Sequence, residues 1–234
     1  MLIASDGYTY NGKRFGSLSA VAQIQRGLPT LDRTIILPYL AQAADLGGLT
    51  SAMAWADVPF DHPLYVVYSS GTTGVPKAIV HGHGGVLIEH FKAMALHMDL
   101  GEEDCFFWFT TTGWMMWNFL IGGLLLGSTV LMYDGSPGYP DLRVLWQFAE
   151  ATKMTYFGTS APYLMACMKA ELSPGDEFDL SALRAVGSTG APLPAEGFGW
   201  VYENVKKDLL LGSVCGGSDV CTAFILSCPL LPVH

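Results

Sequence analysis

The side chains best suited to chemistry stand together in residues 69–77, Ser-Ser-Gly-Thr-Thr-Gly-Val-Pro-Lys. Apolar runs of strand type flank this segment at residues 64–67 and 78–80. Glycine lets the backbone turn tightly and approach an anion, successive N–H groups and hydroxyls donate hydrogen bonds, and the final lysine adds positive charge. The segment therefore predicts a polyphosphate-binding loop, although a polar turn between two strands has a similar composition. The candidate phosphate ligands are Ser69, Ser70, Gly71, Thr72, Thr73, Gly74 and Lys77.

This segment differs from the P-loop of nucleoside triphosphatases. A P-loop has glycine directly before its lysine, serine or threonine directly after it, and then a helix. Here Pro76 precedes Lys77, Ala78 follows it, and the next residues predict a strand. The sequence therefore indicates another kind of phosphate-binding loop.

Two further segments of small and polar residues follow predicted strands. Residues 187–192, Gly-Ser-Thr-Gly-Ala-Pro, come directly after a strand predicted at 183–186. Ligands of open α/β sheets bind outside the carboxyl ends of the strands, so this segment is either a site for a flat ring or an ordinary strand–helix turn. Residues 215–219, Cys-Gly-Gly-Ser-Asp, follow the next predicted strand. Asp219 offers the hard oxygen ligand that Mg²⁺ prefers, and Ser218 offers a hydroxyl.

In order and approximate spacing, the three segments resemble the signature motifs of the adenylate-forming superfamily, which includes acyl-CoA synthetases, adenylation domains and luciferases. These enzymes activate a carboxylate with ATP as an acyl-AMP and pass the acyl group to a nucleophile. The resemblance implies that residues 69–77 bind the β- and γ-phosphates, that Ser218 contacts the α-phosphate or acyl oxygen, and that Asp219 binds Mg²⁺. The catalytic set it implies is Lys77, Ser218 and Asp219. The remaining nucleotide contacts it implies are Gly190, Ala191, Pro192, Cys215, Gly217 and Ser218.

Two positions depart from the family pattern. Cys215 stands where the family has an aromatic residue that stacks on adenine. Asp219 is one methylene shorter than the glutamate that the family usually has. The hydroxyl at Ser218 and the carboxylate at Asp219 nevertheless keep the chemistry that the motif needs.

Within the superfamily, the resemblance is closest to the ligases that activate acetoacetate, and it extends over essentially the whole chain. It implies conversion of acetoacetate, ATP and CoA to acetoacetyl-CoA, AMP and pyrophosphate through acetoacetyl-AMP. The acyl pocket is expected at Trp114, Met115, Met116 and Gly216. Acetate-specific relatives have tryptophan at the position of Gly216, so glycine is expected to leave room for a four-carbon keto acid. A ligase for another short-chain carboxylic acid, or a catalytically inactive nucleotide-binding remnant or interaction module, remains an alternative.

The resemblance also predicts how the chain is divided. We expect residues 1–60 to be the end of a first α/β subdomain and a connector, and residues 61–234 to be an incomplete subdomain that binds ATP and the acyl group. By the same resemblance, we expect the C-terminal lid domain of the superfamily, which carries a catalytic lysine, to have no counterpart in these 234 residues. We therefore expect the isolated chain to be inactive or poorly active.

The elements that must position these residues alternate between helix and strand. Helices are predicted near residues 17–26, 83–98, 114–126, 142–152, 161–170 and 194–206. Strands are predicted at residues 34–37, 105–109, 129–133, 154–157, 183–186 and 208–211. Continuous apolar strands separated by helices indicate an α/β fold with mostly parallel β-sheet layers and flanking helices. This is the fold expected for part of the large domain of an adenylate-forming enzyme.

Composition narrows the possible partners. The net charge of −9, from 12 basic and 21 acidic residues, argues against nucleic-acid binding. Five cysteines, an odd number without C-x-x-C spacing, favour reduced thiols and a cytoplasmic protein. The apolar residues 115–132 are interrupted by Asn118 and by glycines, so they predict a helix, a turn and a strand rather than a membrane span.

Three histidines recur at heptad spacing. His83, His90 and His97 fall on one predicted helix. Successive members would lie about 10 Å apart along the helix axis, too far apart for one metal ion. We therefore predict that they form a packed or solvated helix face.

Overall fold

The computed structural model describes residues 1–40, 55–69 and 74–233. The chain divides into two compact units, Met1–Asp57 with Asp134–Asp141, and Val58–Tyr133 with Leu142–His234. The described elements of the first unit are β1 (Leu2–Ser5), β2 (Gly7–Tyr10), β3 (Lys13–Gly16), α1 (Leu18–Gly27) and β4 (Thr34–Leu37).

The first unit contains one parallel and one antiparallel strand pair. Strands β1 and β4 are parallel, with Leu2 opposite Thr34. Strands β2 and β3 form a hairpin whose turn residues, Asn11 and Gly12, have φ angles of 50° and 70°. An Asn-Gly pair with two positive φ angles matches the right-handed twist of the strands that it joins.

The second unit is built on a parallel sheet. Its described elements are β5 (Pro63–Ser69), β6 (Lys77–Gly82), α2 (His83–Lys92), β7 (Cys105–Trp108), α3 (Met115–Gly122), β8 (Thr129–Leu131), α4 (Val144–Thr152), β9 (Tyr156–Ser160), α5 (Ala161–Lys169), α6 (Pro174–Glu177), β10 (Ala185–Thr189), α7 (Ala195–Asn204), β11 (Leu210–Ser213), β12 (Cys215–Gly217) and β13 (Thr222–Ile225). The main sheet has the order β11-β10-β9-β7-β8, and all of its neighbouring strands are parallel. Strands β5 and β6, and β12 and β13, form antiparallel pairs. The predicted α/β class with mostly parallel strands is confirmed.

Two predicted helices end in a different geometry. A π-helical turn, Ala93–His97, continues α2, and a 3₁₀ turn, Gly123–Leu126, continues α3. Gly127 then adopts a φ of 76°, which is the left-handed conformation that ends many helices. In the part of the chain that the structure describes, no helix is both long enough and apolar enough to cross a membrane.

Both faces of the main sheet are buried. Phe107 packs into the cluster that contains residues of α4, α5 and α7, whereas Phe106 and Trp108 pack into the cluster that contains residues of α3 and the π-helical turn. All three side chains are at most 1% exposed. Because side chains alternate across a strand, burial on both faces requires the continuous apolar run from which β7 was predicted.

Strands β9, β10 and β11 end two or three residues later than predicted, and residues 187–189 belong to β10 rather than to a loop. For β9 and β10 the reason is the position of Trp108, which is paired with Gly158 of β9, and Gly158 is in turn paired with Gly187 of β10. A Cβ atom at Gly158 would lie 2.3 Å from the Trp108 ring, and one at Gly187 would lie 2.7 Å from it. Glycine is therefore needed inside these strands to accommodate the indole, although its presence suggested a loop.

An ion pair joins the amino ends of three adjacent strands. Asp104 Oδ2 accepts a 2.6 Å hydrogen bond from Arg184 Nη2, and Asp104 Oδ1 accepts a 2.6 Å bond from Thr155 Oγ1. The backbone N–H of Gly101 adds a 2.8 Å bond to Oδ2. Burial raises the pKa of Asp104, but the hydrogen bonds from Arg184, Thr155 and Gly101 together lower it below its usual value. The pair is therefore charged under ordinary conditions.

Candidate functional site

A cavity of about 590 Å³ opens at the carboxyl ends of β7, β10 and β11. The last residue of each of these strands, Trp108, Thr189 and Ser213, lines it. The amino-terminal part of α3 and the β12–β13 hairpin supply other walls. This is where parallel α/β sheets place their ligands, and the volume is typical of a small-molecule site.

The cavity brings together most of the residues singled out in the sequence. The predicted residues that line it are Trp114, Met115, Met116, Gly190, Ala191, Pro192, Cys215, Gly216, Gly217 and Ser218. They come from three separate parts of the chain. The structure therefore places the predicted acyl residues around the same cavity as six of the predicted nucleotide residues.

The loop between β10 and α7 owes its shape to one glycine. Gly190 has a φ of 84°, a left-handed conformation that is strained for residues with a side chain. Pro192 follows two residues later and limits the backbone before α7. The loop thus turns sharply where it lines the cavity, and Cys215, which lines the same cavity, is exposed.

Asp219 occupies a different position from its neighbour Ser218. It is exposed and lines a second depression of about 420 Å³, together with His81, Glu89 and Lys92. Thr222 lines both the cavity and this depression. Asp219 itself lines this depression and not the cavity, although its neighbour Ser218 lines the cavity.

The predicted phosphate loop joins β5 to β6. Ser69 and Lys77 are opposite each other in the last described pair of this antiparallel ladder. Gly74 and Lys77 are exposed, whereas the predicted ligands at positions 70–73 lie outside the described residues. The described residues show that the segment connects two antiparallel strands, which fits a polar turn and a phosphate loop equally, so phosphate binding stays a prediction.

Three histidines donate hydrogen bonds to the β12–β13 hairpin or to the residues directly after it. His81 Nε2 donates to the carbonyl oxygen of Ser218 at 2.7 Å, and His90 Nε2 donates to that of Cys221 at 2.8 Å. His97 Nδ1 donates to the carbonyl oxygen of Ser227 at 2.9 Å. We call these three side chains the histidine anchors. His83, the first member of the heptad series, instead donates to the carbonyl oxygen of His62 at 2.7 Å. Two of the three heptad histidines thus hold the segment that walls the cavity.

Because His90 is buried, the stability of the fold should decrease at acid pH. Burial lowers its pKa, and the hydrogen bond to Cys221 raises it by less. The unfolded chain therefore binds a proton at a higher pH than the folded chain, and stability falls as the pH drops below about 6.5. In His90→Gln the amide can still donate to the carbonyl, so chemical denaturation between pH 7 and 5 should show a smaller loss of stability than in the wild type. Parallel pH curves for the two proteins would contradict this account.

Gly216 lines the cavity, and a contact that the sequence does not reveal explains why this residue is glycine. A Cβ atom there would lie 2.0 Å from the carbonyl oxygen of Thr222 and 2.5 Å from the Cα atom of Ala223. A side chain at position 216 would therefore meet the backbone of β13 before it filled the cavity. Close approach of the two strands is sufficient to require glycine, and a role in acyl-chain length stays a prediction.

Sequence reasoning missed several lining residues. Met98, Phe119 and Thr222 lie in the cavity wall, and so does Trp108. Trp108 had a usable signal, because it stands at the end of a predicted parallel strand, where ligands bind. The other three are brought to the cavity by tertiary packing, and no local pattern marks them.

Comparison with known proteins gives a consistent picture. A family model for AMP-binding enzymes matches residues 19–228. The chain is 45% identical to an acetoacetyl-coenzyme A synthetase of Rhizobium meliloti (strain 1021), over 100% of the chain and 38% of that protein. It is 31% identical to a malonamoyl-CoA synthetase of Penicillium aethiopicum, over 100% of the chain and 37% of that protein.

A solved structure agrees closely with this fold. The acetoacetyl-CoA synthetase from Streptomyces lividans matches with a TM-score of 0.92 and 51% sequence identity, over 100% of the chain and 38% of that structure. The chain therefore spans about two fifths of the length of the relatives that it matches.

Proposed function

Because this chain belongs to the family of AMP-binding enzymes, we propose that it is part of an acid–CoA ligase that converts acetoacetate, ATP and CoA to acetoacetyl-CoA, AMP and pyrophosphate. The observation that carries this proposal is the cavity at the carboxyl ends of β7, β10 and β11. Residues with expected nucleotide roles and residues with expected acyl roles line it together. Relatives that are acetoacetyl-CoA synthetases match the chain over its whole length.

The proposed reaction has two steps. The acid's carboxylate oxygen bonds to the α-phosphorus of ATP, and the bond to the bridging oxygen breaks, which gives acetoacetyl-AMP and pyrophosphate. The CoA sulfur then bonds to the acyl carbon, the thiol proton is lost, and AMP leaves with the bonding electrons. Both steps bring anions together, so catalysis rests on positioning and charge neutralisation.

The residues of this chain would divide that work. We assign the hydroxyl of Ser218 to the α-phosphate or acyl oxygen, and Lys77 with residues 69–74 to the β- and γ-phosphates. Residues 190–192 and Cys215 with Gly217 would border the adenine. Trp114, Met115, Met116 and Gly216 would border the acyl chain.

Asp219 fits a magnesium ion that arrives with the nucleotide. Mg²⁺ is commonly bound through one or two carboxylates together with substrate phosphates, rather than by a cage of protein ligands. Asp219 is exposed and its carboxylate is a hard oxygen donor, so it meets that requirement. The ion would neutralise phosphate charge and thereby assist both the approach of the carboxylate and the departure of pyrophosphate.

A second candidate acid follows from one relative. The malonamoyl-CoA synthetase that resembles the chain acts, by its name, on an acid other than acetoacetate. A ligase for another short-chain acid is therefore the alternative function. We retain residues 1–60 as the end of a first α/β subdomain and a connector, and residues 61–234 as an incomplete subdomain that binds ATP and the acyl group, in a cytoplasmic enzyme.

Nucleotide binding tests the proposal directly. The purified chain should bind Mg-ATP, and Lys77→Ala should weaken that binding about tenfold, because a charge-assisted contact to phosphate is lost. Asp219→Ala should reduce the dependence of binding on Mg²⁺. Isothermal titration calorimetry measures both effects.

Lys207→Ala provides the matched control, since Lys207 is also an exposed lysine but lies beside α7, away from the cavity lining. It removes the same charge and should leave the affinity unchanged. Equal affinities for the wild type, Lys77→Ala and Lys207→Ala would refute the phosphate role of Lys77.

A further inference from the structure

A reciprocal pair of hydrogen bonds joins the end of the π-helical turn to the segment that follows β13. His97 Nδ1 donates to the carbonyl oxygen of Ser227 at 2.9 Å, and Ser227 Oγ donates to the carbonyl oxygen of His97 at 2.7 Å. Each residue thus holds the other through both its side chain and its carbonyl group, so the pair fixes their orientation as well as their distance. We call this pair the His97–Ser227 clamp.

Each member of the clamp stands next to a residue of the cavity wall. Met98 follows His97, Leu226 precedes Ser227, and both Met98 and Leu226 line the cavity. Met98 is 1% exposed, and Leu226 packs against the apolar cluster that contains it. The clamp therefore holds together two parts of the wall that are distant in sequence.

The π-helical turn sets the direction of one member of the clamp. The Met98 N–H group donates to the carbonyl oxygen of Ala93, five residues earlier, at 3.2 Å, whereas an α-helix uses the carbonyl four residues earlier. This wider turn rotates His97 and Met98 about the helix axis relative to a regular helix. Asp99 then has a φ of 54°, so the helical path ends directly after Met98. Such turns are rare and occur frequently at functional sites.

The other member of the clamp packs against the main sheet. A Cβ atom at Gly212 of β11 would lie 3.1 Å from Ser227 Oγ and 3.2 Å from Ser227 Cβ, so the serine side chain lies directly against this strand. Ser213, the next residue of β11, lines the cavity. The clamp thus connects the π-helical turn, the segment after β13 and the end of β11.

The side chains that the clamp holds are apolar, so the wall formed by Met98 and Leu226 suits the acyl chain of the ligand rather than its phosphate. We propose that His97 and Ser227 are positioning residues, which keep this wall in its binding shape before the acyl group arrives. Binding then does not have to order two flexible side chains, and that cost in affinity is avoided. This inference rests on the proposed function and adds two residues that act through their neighbours.

The test compares two ligands of the whole chain by calorimetry, acetoacetyl sulfamoyl-adenosine, which mimics the proposed acyl-adenylate, and AMP, which has no acyl group. His97→Ala should weaken binding of the acyl-adenylate mimic about tenfold and leave the affinity for AMP unchanged. Both ligands bind the same folded protein, so a loss of stability alone does not change the ratio of their affinities. Ser227→Ala removes only one hydroxyl group and should lower the same ratio by a smaller factor, so the test does not depend on one variant.

Two further variants separate positioning from general damage. In His97→Asn the amide N–H group stands at about the place of Nδ1, so this variant should recover most of the affinity for the acyl-adenylate mimic. Tyr163→Phe is the matched control, because the Tyr163 hydroxyl also donates to a main-chain carbonyl, that of Leu142 at 2.7 Å, but lies in the cluster that contains residues of α4, α5 and α7. It should lower the Tm and bind both ligands as the wild type does.

The outcomes distinguish the inference from the proposed function. If His97→Ala changes the affinities for both ligands by the same factor, or changes neither, the inference is overturned and the proposed function stands. Failure of His97→Asn to recover the affinity would overturn the role of the hydrogen bond, and a selective loss in Tyr163→Phe would show that any destabilisation has this effect. If the wild type binds neither ligand, the proposed function fails, and the inference fails with it.

Discussion

Asp104→Ala is expected to lower the free energy of unfolding by about 2–4 kcal/mol, the largest effect predicted for this chain. The Asp104 side chain is 10% exposed, and it accepts bonds from Arg184, Thr155 and the Gly101 N–H group. Removing the carboxylate takes the acceptor away from four donor atoms, because Arg184 donates through both Nε and Nη2. Because the Arg184 side chain is itself 34% exposed, water compensates for part of the loss. Urea denaturation at pH 7 measures the effect.

Asp179→Ala is the matched control. Asp179 pairs with Lys153 at 2.6 Å, but the two side chains are 52% and 61% exposed. Exposed ion pairs contribute little, so this variant should leave the stability nearly unchanged. Similar losses in the two variants would show that burial does not decide the strength of these pairs.

The Asp104 pair also has a predicted pH signature. The pKa of Asp104 is lower in the folded chain than its usual value, so the pair stabilises the fold above the unfolded pKa, near pH 4. That stabilisation is lost as the pH falls through the lowered folded value. The difference in stability between wild type and Asp104→Ala should therefore shrink as the solution is made more acid.

Gly216→Ala is expected to cost about 1–3 kcal/mol, because its new methyl group would collide with backbone atoms that cannot rotate away. The closest is the carbonyl oxygen of Thr222, 2.0 Å from the Cβ position. Relief requires β12 and β13 to separate, which moves one wall of the cavity. Affinity for acetoacetyl sulfamoyl-adenosine, a mimic of the proposed acyl-adenylate, should fall together with the free energy of unfolding. Calorimetry and urea denaturation measure the two effects.

Gly217→Ala is the control, because it shows the loss of stability that replacing a glycine causes without such a collision. The nearest atom to a Cβ at Gly217 is Asp219 Oδ2, at 3.8 Å, an ordinary contact distance. The neighbouring substitution should therefore be tolerated. If both alanine variants are equally stable, the hairpin adapts to a side chain at 216, and acyl-chain length becomes the better explanation for Gly216.

The fold was predictable because its main sheet is buried on both faces. Such strands are continuous apolar runs, as at residues 105–108, and the helices between them have their own period. The ends of β9 and β10 were not predictable, because the need for Gly158 and Gly187 comes from Trp108, which is distant in sequence. Local composition indicated a loop where tertiary packing requires a strand.

The candidate site was predictable where its residues form local motifs. Residues 190–192 and 215–218 stand in short segments whose composition already suggests a ligand, and the structure places them around one cavity. The partners of His81, His90 and His97 were not predictable. Each of these side chains bonds to a residue at least 130 positions later in the sequence, and heptad spacing does not identify such a partner.

The histidine anchors bear on how substrate preference can change in evolution and in engineering. Their acceptors are main-chain carbonyls of Ser218, Cys221 and Ser227, which every amino acid possesses. A substitution at these positions removes a side chain but not the acceptor. Side chains of the hairpin can therefore be varied while the hydrogen bonds from the three histidines are kept. A combinatorial library at positions 222, 223 and 225, with the three histidines kept, is the natural starting point for directed evolution toward other acids.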